Sequence, residues 1–118
     1  MTDTTVAIEL DDGTKEEGTL KFYSLYLLRE GGDKTNEIYE KYQKIRLNGA
    51  KDELDYTYMV YTAYVCAHLD KDYMDYPDFL KRLTPNRVLL MRTVNQLLNP
   101  QPKKKATSPA PSKGQRSQ

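Results

Sequence analysis

The stretch Asp52-Glu53-Leu54-Asp55-Tyr56-Thr57-Tyr58-Met59-Val60-Tyr61-Thr62-Ala63-Tyr64-Val65-Cys66-Ala67-His68-Leu69 decides the fold. Wound as a helix, it carries one stripe of Leu54, Tyr58, Tyr61, Val65 and Leu69, and a second of Tyr56, Val60, Ala63, Tyr64 and Ala67. Little polar surface remains between Tyr56 and Ala67. A helix apolar on so many sides either sits at the centre of its domain or meets a partner.

Upstream, a second helix is expected from Asp33 or Thr35 to about Leu47. Ile38, Tyr42 and Ile45 fall on one stripe, and Glu37 with Lys41 and Glu40 with Lys44 stand at i, i+4 on the outer face. Asn48-Gly49 closes it. Before that, Ser24 is expected to cap a short helix over residues 25–30, stopped by Gly31-Gly32.

The first segment alternates Val6, Ile8 and Leu10 with Thr5, Ala7 and Glu9, the period of a strand. Asp11-Asp12-Gly13 is a turn signal, and Thr19-Leu20-Lys21-Phe22-Tyr23 alternates again among strand formers. Together they predict a β-hairpin running to Tyr23. Downstream, Asp75 is placed to cap a short helix with Pro77 in its first turn and Phe79, Leu80 and Leu83 on its buried side. Thr84-Pro85 repeats the device. It opens a last helix to Leu98 with Leu90, Met91, Val94, Leu97 and Leu98 inward and Arg92, Asn95, Gln96 and Asn99 outward.

Pro100 ends this part, and residues 101–118 contain no large apolar side chain. Such a composition cannot offset the entropy of ordering. The expected class is therefore mainly α: a small helical domain over residues 1–100 with an N-terminal β-hairpin, followed by a disordered basic tail over 101–118. With 118 residues there is room for one domain.

Charge is divided unevenly. The chain has 18 basic and 17 acidic residues, but Lys103, Lys104, Lys105, Lys113 and Arg116 all lie in the tail, where there is no acid. Residues 1–100 keep 13 basic against 17 acidic, a charge of about −4. The body offers no basic footprint for nucleic acid, and five cations on a flexible segment give only nonspecific, salt-sensitive attraction. A single cysteine, Cys66, excludes an intramolecular disulfide and suits a reducing compartment. Residues 1–5 have neither a basic segment nor a long apolar run, so no export is expected. No stretch approaches the roughly 20 apolar residues of a membrane-spanning helix.

Catalytic chemistry is sparse. His68, the only histidine, lies two residues after Cys66, and positions i and i+2 of a helix diverge too far to hold one metal. Asp70, Asp72 and Asp75 suggest a calcium loop, yet Met74 and Asp75 stand where that loop needs an oxygen ligand and a glycine. Turn chemistry accounts for Asp11-Asp12, and no phosphate loop or nucleophile elbow occurs. No enzyme activity, cofactor or metal is expected.

Tyrosine is the unusual component, with ten residues against two phenylalanines and no tryptophan. Tyr56, Tyr58, Tyr61, Tyr64, Tyr73 and Tyr76 cluster within twenty-one residues. Tyrosine gives large contact area while its hydroxyl stays wet, which suits an interface that must also exist free in water; a core built with tyrosine in place of leucine is the other reading.

The hairpin ending Thr19-Leu20-Lys21-Phe22, the helix around Tyr61-Thr62-Ala63-Tyr64-Val65, the motif Met74-Asp75-Tyr76-Pro77-Asp78-Phe79-Leu80 and the closing helix from Val88 to Leu98 together resemble the tail assembly chaperones of long, non-contractile-tailed bacteriophages. The likeness spans roughly residues 6–99. It implies a protein of the host cytoplasm that coats the tape measure protein, keeps it soluble until tail tube protein polymerises around it, and is absent from the mature virion. Self-association is an open possibility. The protein-binding residues expected are Tyr58, Tyr61, Tyr64, Tyr76, Phe79 and Leu83, and serine at Tyr61 and Tyr64 should weaken partner binding more than loss of the tail. Many members of the family are also made in a longer form by ribosomal frameshifting, and Lys103-Lys104-Lys105 is compatible with a slippery adenine run. The rival readings are a structural head-tail joining protein, which would persist in particles, and a small nucleic-acid-binding regulator acting through the tail.

Overall fold

The computed structural model describes residues 5–99; the disordered tail expected over 101–118 lies outside the described residues. The fold is mainly helical with an N-terminal hairpin: β1 (Thr5–Glu9), β2 (Lys15–Thr19), α1 (Phe22–Glu30), α2 (Asp33–Asn48), α3 (Glu53–Ala67), α4 (Tyr76–Arg82) and α5 (Arg87–Leu98).

α3 is the central element. Every residue from Thr57 to Cys66 is buried, and β2, α1, α2, α4 and α5 all pack on it. This explains a helix with no polar face: each side meets a neighbour in the same chain. Its start is fixed by a reciprocal cap, in which Asp52 Oδ1 accepts from the Asp55 amide at 3.1 Å and Asp55 Oδ2 accepts from the Lys51 amide at 2.8 Å. Leu54, on the expected apolar stripe, is 58% exposed, because it sits in the first turn ahead of the covered segment.

The hairpin pairs Val6 with Gly18 and Ile8 with Glu16, so Val6, Ile8 and Gly18 share the face turned to α3. A Cβ on Gly18 would lie 2.6 Å from Ile8 Cδ1 and 3.3 Å from Ala63 Cβ, so a larger residue here would force the enclosed Ile8 side chain to shift. At the turn Gly13 has φ +88°, and Asp12 Oδ1 accepts from the amide and hydroxyl of Thr14. Those bonds hold the Asp12 carboxyl below the usual carboxylate range, with Arg82 adding its charge. The chain after α4 closes beside this turn: Leu10 bridges to Leu83, and Arg82 Nη2 donates to Asp12 Oδ2 at 2.8 Å.

The strand ends earlier than the alternating pattern predicts. Phe22 and Tyr23 belong to α1, Lys21 is its N-cap residue, and Ser24, expected as the cap, is buried in the first turn without a capping role. Alternation through Tyr23 has no sheet to face once β2 stops at Thr19, and the apolar run winds into a helix instead. Asn36 Nδ2 donates to the Arg29 carbonyl at 2.9 Å, tying the end of α1 to α2. On α2, Lys41 lies over the rings of Tyr58 and Tyr76, 4.5 and 5.7 Å from their centroids, a use the i, i+4 charge pattern did not suggest.

α4 begins as expected, with Asp75 at the N-cap and Pro77 in the first turn. The Asp75 side chain makes no cap; it pairs with Lys34 at 3.1 Å. α5 starts two residues later than the Thr84-Pro85 reading, capped by Asn86 Oδ1, which accepts from the Leu89 amide at 3.0 Å. Leu90, Val94 and Leu97 form its inner stripe, whereas Met91 and Leu98, expected inward, are exposed. An edge helix with a single packing surface buries one stripe, and residues 91 and 98 stand on its flank.

Candidate protein-docking surface

The structure brings the six expected binding residues together, but inside the molecule. Tyr58, Tyr61 and Tyr64 on α3 and Phe79 on α4 are buried, and Tyr76 and Leu83 are half-buried against them. Tyr58 meets Tyr76 edge-on with centroids 4.8 Å apart. Tyr61 lies 5.3 Å from Tyr76 and 5.4 Å from Phe79, and Tyr64 lies 5.0 Å from Phe79. Such tilted and edge-on pairs let ring edges meet ring faces, which adds to the gain from burial alone.

The hydroxyls expected to stay wet are used within the chain. Tyr61 Oη donates to the Met74 carbonyl at 2.9 Å, and Tyr64 Oη accepts from the Met74 amide at 3.0 Å. The two rings thus hold both backbone groups of one residue in the irregular connector before α4. Tyr76 Oη donates to the Leu54 carbonyl at 3.2 Å and is 2.8 Å from Thr57 Oγ1. Phenylalanine would fill this space and leave Met74 without partners, which is why the core is built with tyrosine. Burial pushes the Tyr58 hydroxyl up to about 12 and raises Tyr61 further.

Cys66 is buried, and burial alone pushes its thiol up to about 12, which suits packing rather than nucleophilic attack. His68 is the C-cap residue of α3; its Nδ1 faces the Tyr64 carbonyl at 2.7 Å and its Nε2 faces Glu16 Oε1 at 3.0 Å, joining the helix end to β2. Among the described residues, no group of three or more His, Cys, Asp or Glu side chains could hold a metal ion, and no helix is long and apolar enough to cross a membrane.

Large apolar side chains are exposed at scattered positions such as Leu47, Leu54 and Val88, but four fall together on α1. Ser24 and Leu28 turn one side of this nine-residue helix inward, while Phe22 is 89%, Tyr23 65% and Tyr26 52% exposed, with Leu27 beside them. Tyr23 and Tyr26 stack at 6.1 Å. Two depressions adjoin this face, of about 460 and 290 Å³. Phe22, Leu25 and Arg46 line both, so they form one groove between α1, α2 and the end of α5. Tyr39, Tyr42 and Gln43 continue its α2 wall, and Leu97 and Leu98 its α5 wall. Contiguous apolar surface of this kind marks contact sites.

The signal for this surface is present in the sequence. Phe22-Tyr23-Ser24-Leu25-Tyr26-Leu27-Leu28 has more large apolar side chains than one short edge helix can bury. Dividing it between a strand and a helix conceals that excess. Compared with known protein families, curated proteins and solved structures, the chain matches none.

Proposed function

We propose that this chain is a tail assembly chaperone, a protein that works by binding without catalysis. It covers apolar segments of a phage tape measure protein in the host cytoplasm until tail tube protein assembles around them, and it leaves before the virion is complete. The observation that carries this reading is the exposed face of Phe22, Tyr23 and Tyr26 beside a groove, on a domain whose other aromatic rings are largely packed away. A reversible cover needs a sticky face on a body with its own core, and the exposed rings of α1 beside the closed cluster around α3 support that reading. The resemblance in the residues of α3, α4 and α5 supplies the identity of the partner.

The test is co-expression with the tape measure protein encoded nearby. The wild-type chain should keep that protein in the soluble fraction and co-purify with it, whereas Phe22→Ser with Tyr26→Ser should lose most of this effect while retaining its circular dichroism spectrum. Equal solubility with and without the chain would sink the proposal. Recovery of the chain in stoichiometric amounts from purified particles would favour a structural joining protein instead.

A further inference from the structure

We infer that the α1–α2–α5 groove takes an amphipathic helix whose apolar stripe is bordered by carboxylates. The inference rests on the chaperone reading for the source of that helix, a segment of the tape measure protein, but not for the chemistry of the site. The lining of the groove is apolar apart from Gln43 and three cations: Lys21, Arg29 and Arg46 flank Phe22, Leu25 and Tyr26, and no acidic side chain lines either depression. Residues 5–99 as a whole hold 13 basic and 16 acidic residues, so the groove runs against the sign of the body.

The two arginines are held in place. Arg46 Nη1 donates to Tyr42 Oη at 3.1 Å with its guanidinium 5.9 Å from the Tyr42 ring, and Arg29 lies between Tyr26 and Tyr39, 5.9 and 6.0 Å from their centroids. Arg29 also bonds Glu30 at 2.7 Å, an exposed pair of neighbours. Neither Lys21 nor Arg46 has a carboxylate partner among the described residues. A helical occupant fits because the α2 wall runs from Tyr39 to Arg46, two turns or roughly 10 Å, and offers Tyr39, Gln43 and Arg46 at i, i+4 and i+7 to receive a matching stripe.

The chain's own residues 101–118 suit the groove poorly, with five cations and no acid. A second copy would bring the same three cations to the contact. Like charges brought together at a desolvated contact are unfavourable, so an acidic partner is the complementary one.

The experiment uses the full chain and two synthetic helical peptides with the same leucine stripe, one flanked by glutamate and one by lysine, followed by fluorescence anisotropy. The glutamate peptide should bind roughly tenfold tighter at low ionic strength, with the difference shrinking as salt is added. Lys21→Glu, which removes no side-chain hydrogen bond or ion pair among the described residues, should reduce that preference, and Lys21→Glu with Arg46→Glu should reverse it. Phe22→Ser should weaken both peptides. Equal binding, a preference for lysine, or binding undiminished by Phe22→Ser overturns the inference. So does sedimentation showing a dimer that Phe22→Ser dissolves, since the occupant is then a second copy. If the peptides fail while the tape measure protein is still solubilised, only this inference falls; if they behave as expected without solubilisation, the chaperone reading falls and the docking site stands.

Discussion

Tyr61 shows how one atom separates two uses of an aromatic ring. Its ring packs on Tyr76 and Phe79, and its hydroxyl satisfies the Met74 carbonyl. Tyr61→Phe should therefore keep the packing and cost about 1 kcal/mol, the lower end for an orphaned acceptor because Met74 is only partly buried, read as a lower urea midpoint at unchanged slope. Gly18→Ala tests the closest approach of the hairpin to α3. The added methyl meets Ile8 and Ala63, both fully enclosed, and should cost about 1–3 kcal/mol; an unchanged melting temperature would show that the end of the Ile8 side chain turns aside without loss. At this scale the sequence was legible in kind but not in use. Spacing brings Tyr58, Tyr61 and Tyr64 to one side of a helix, yet nothing local tells a ring facing α4 from a ring facing a partner. The deciding contact is to Met74, ten or more residues away and in a segment without periodicity.

Among the elements, α3 and α2 were readable because their stripes are long and their ends carry caps or glycine. α1 was not. The alternation of residues 19–23 reads as strand until the lack of a sheet beyond Thr19 is known, and that lack is a long-range fact. With residues 22 and 23 read as strand, the apolar excess of residues 22–28 goes unnoticed, and the binding face was expected on the tyrosine-rich α3 and α4. The consequence is a reversal of roles under mutation. Serine at Tyr61 and Tyr64 should unfold the domain, because it opens a cavity and frees the connector, rather than weaken binding in a folded protein. Serine at Phe22 and Tyr23, which are largely exposed, should leave the melting temperature within about 2–3 °C of wild type. A folded Tyr61/Tyr64 double variant would place the true core elsewhere.

For the whole molecule, the buried acids of the core set the response to alkali. Tyr58 is raised from 10.0 to about 12 by burial first, then by the charges of Glu37 and Tyr76, and Cys66 is raised from 9.0 to about 12 by burial. The unfolded chain loses these protons earlier, so their contribution is complete below the unfolded values and falls as pH rises through the folded ones. Stability should be level up to about pH 9 and decline between 9 and 12, with Tyr42, Tyr58 and Tyr61 ionising only as the protein unfolds. A smooth tyrosinate titration of all ten rings near 10 in a still-folded protein would contradict the burial described here.

The division of labour between a closed aromatic interior and an open apolar helix is tested most directly by hydrogen exchange on the chain alone and mixed with the proposed partner, the tape measure protein. Binding should slow exchange in α1 and at the end of α5, with α3 slow in both states. Slowing confined to residues 70–83, with α1 unaffected, would return the binding face to the α3–α4 tyrosines and contradict the account.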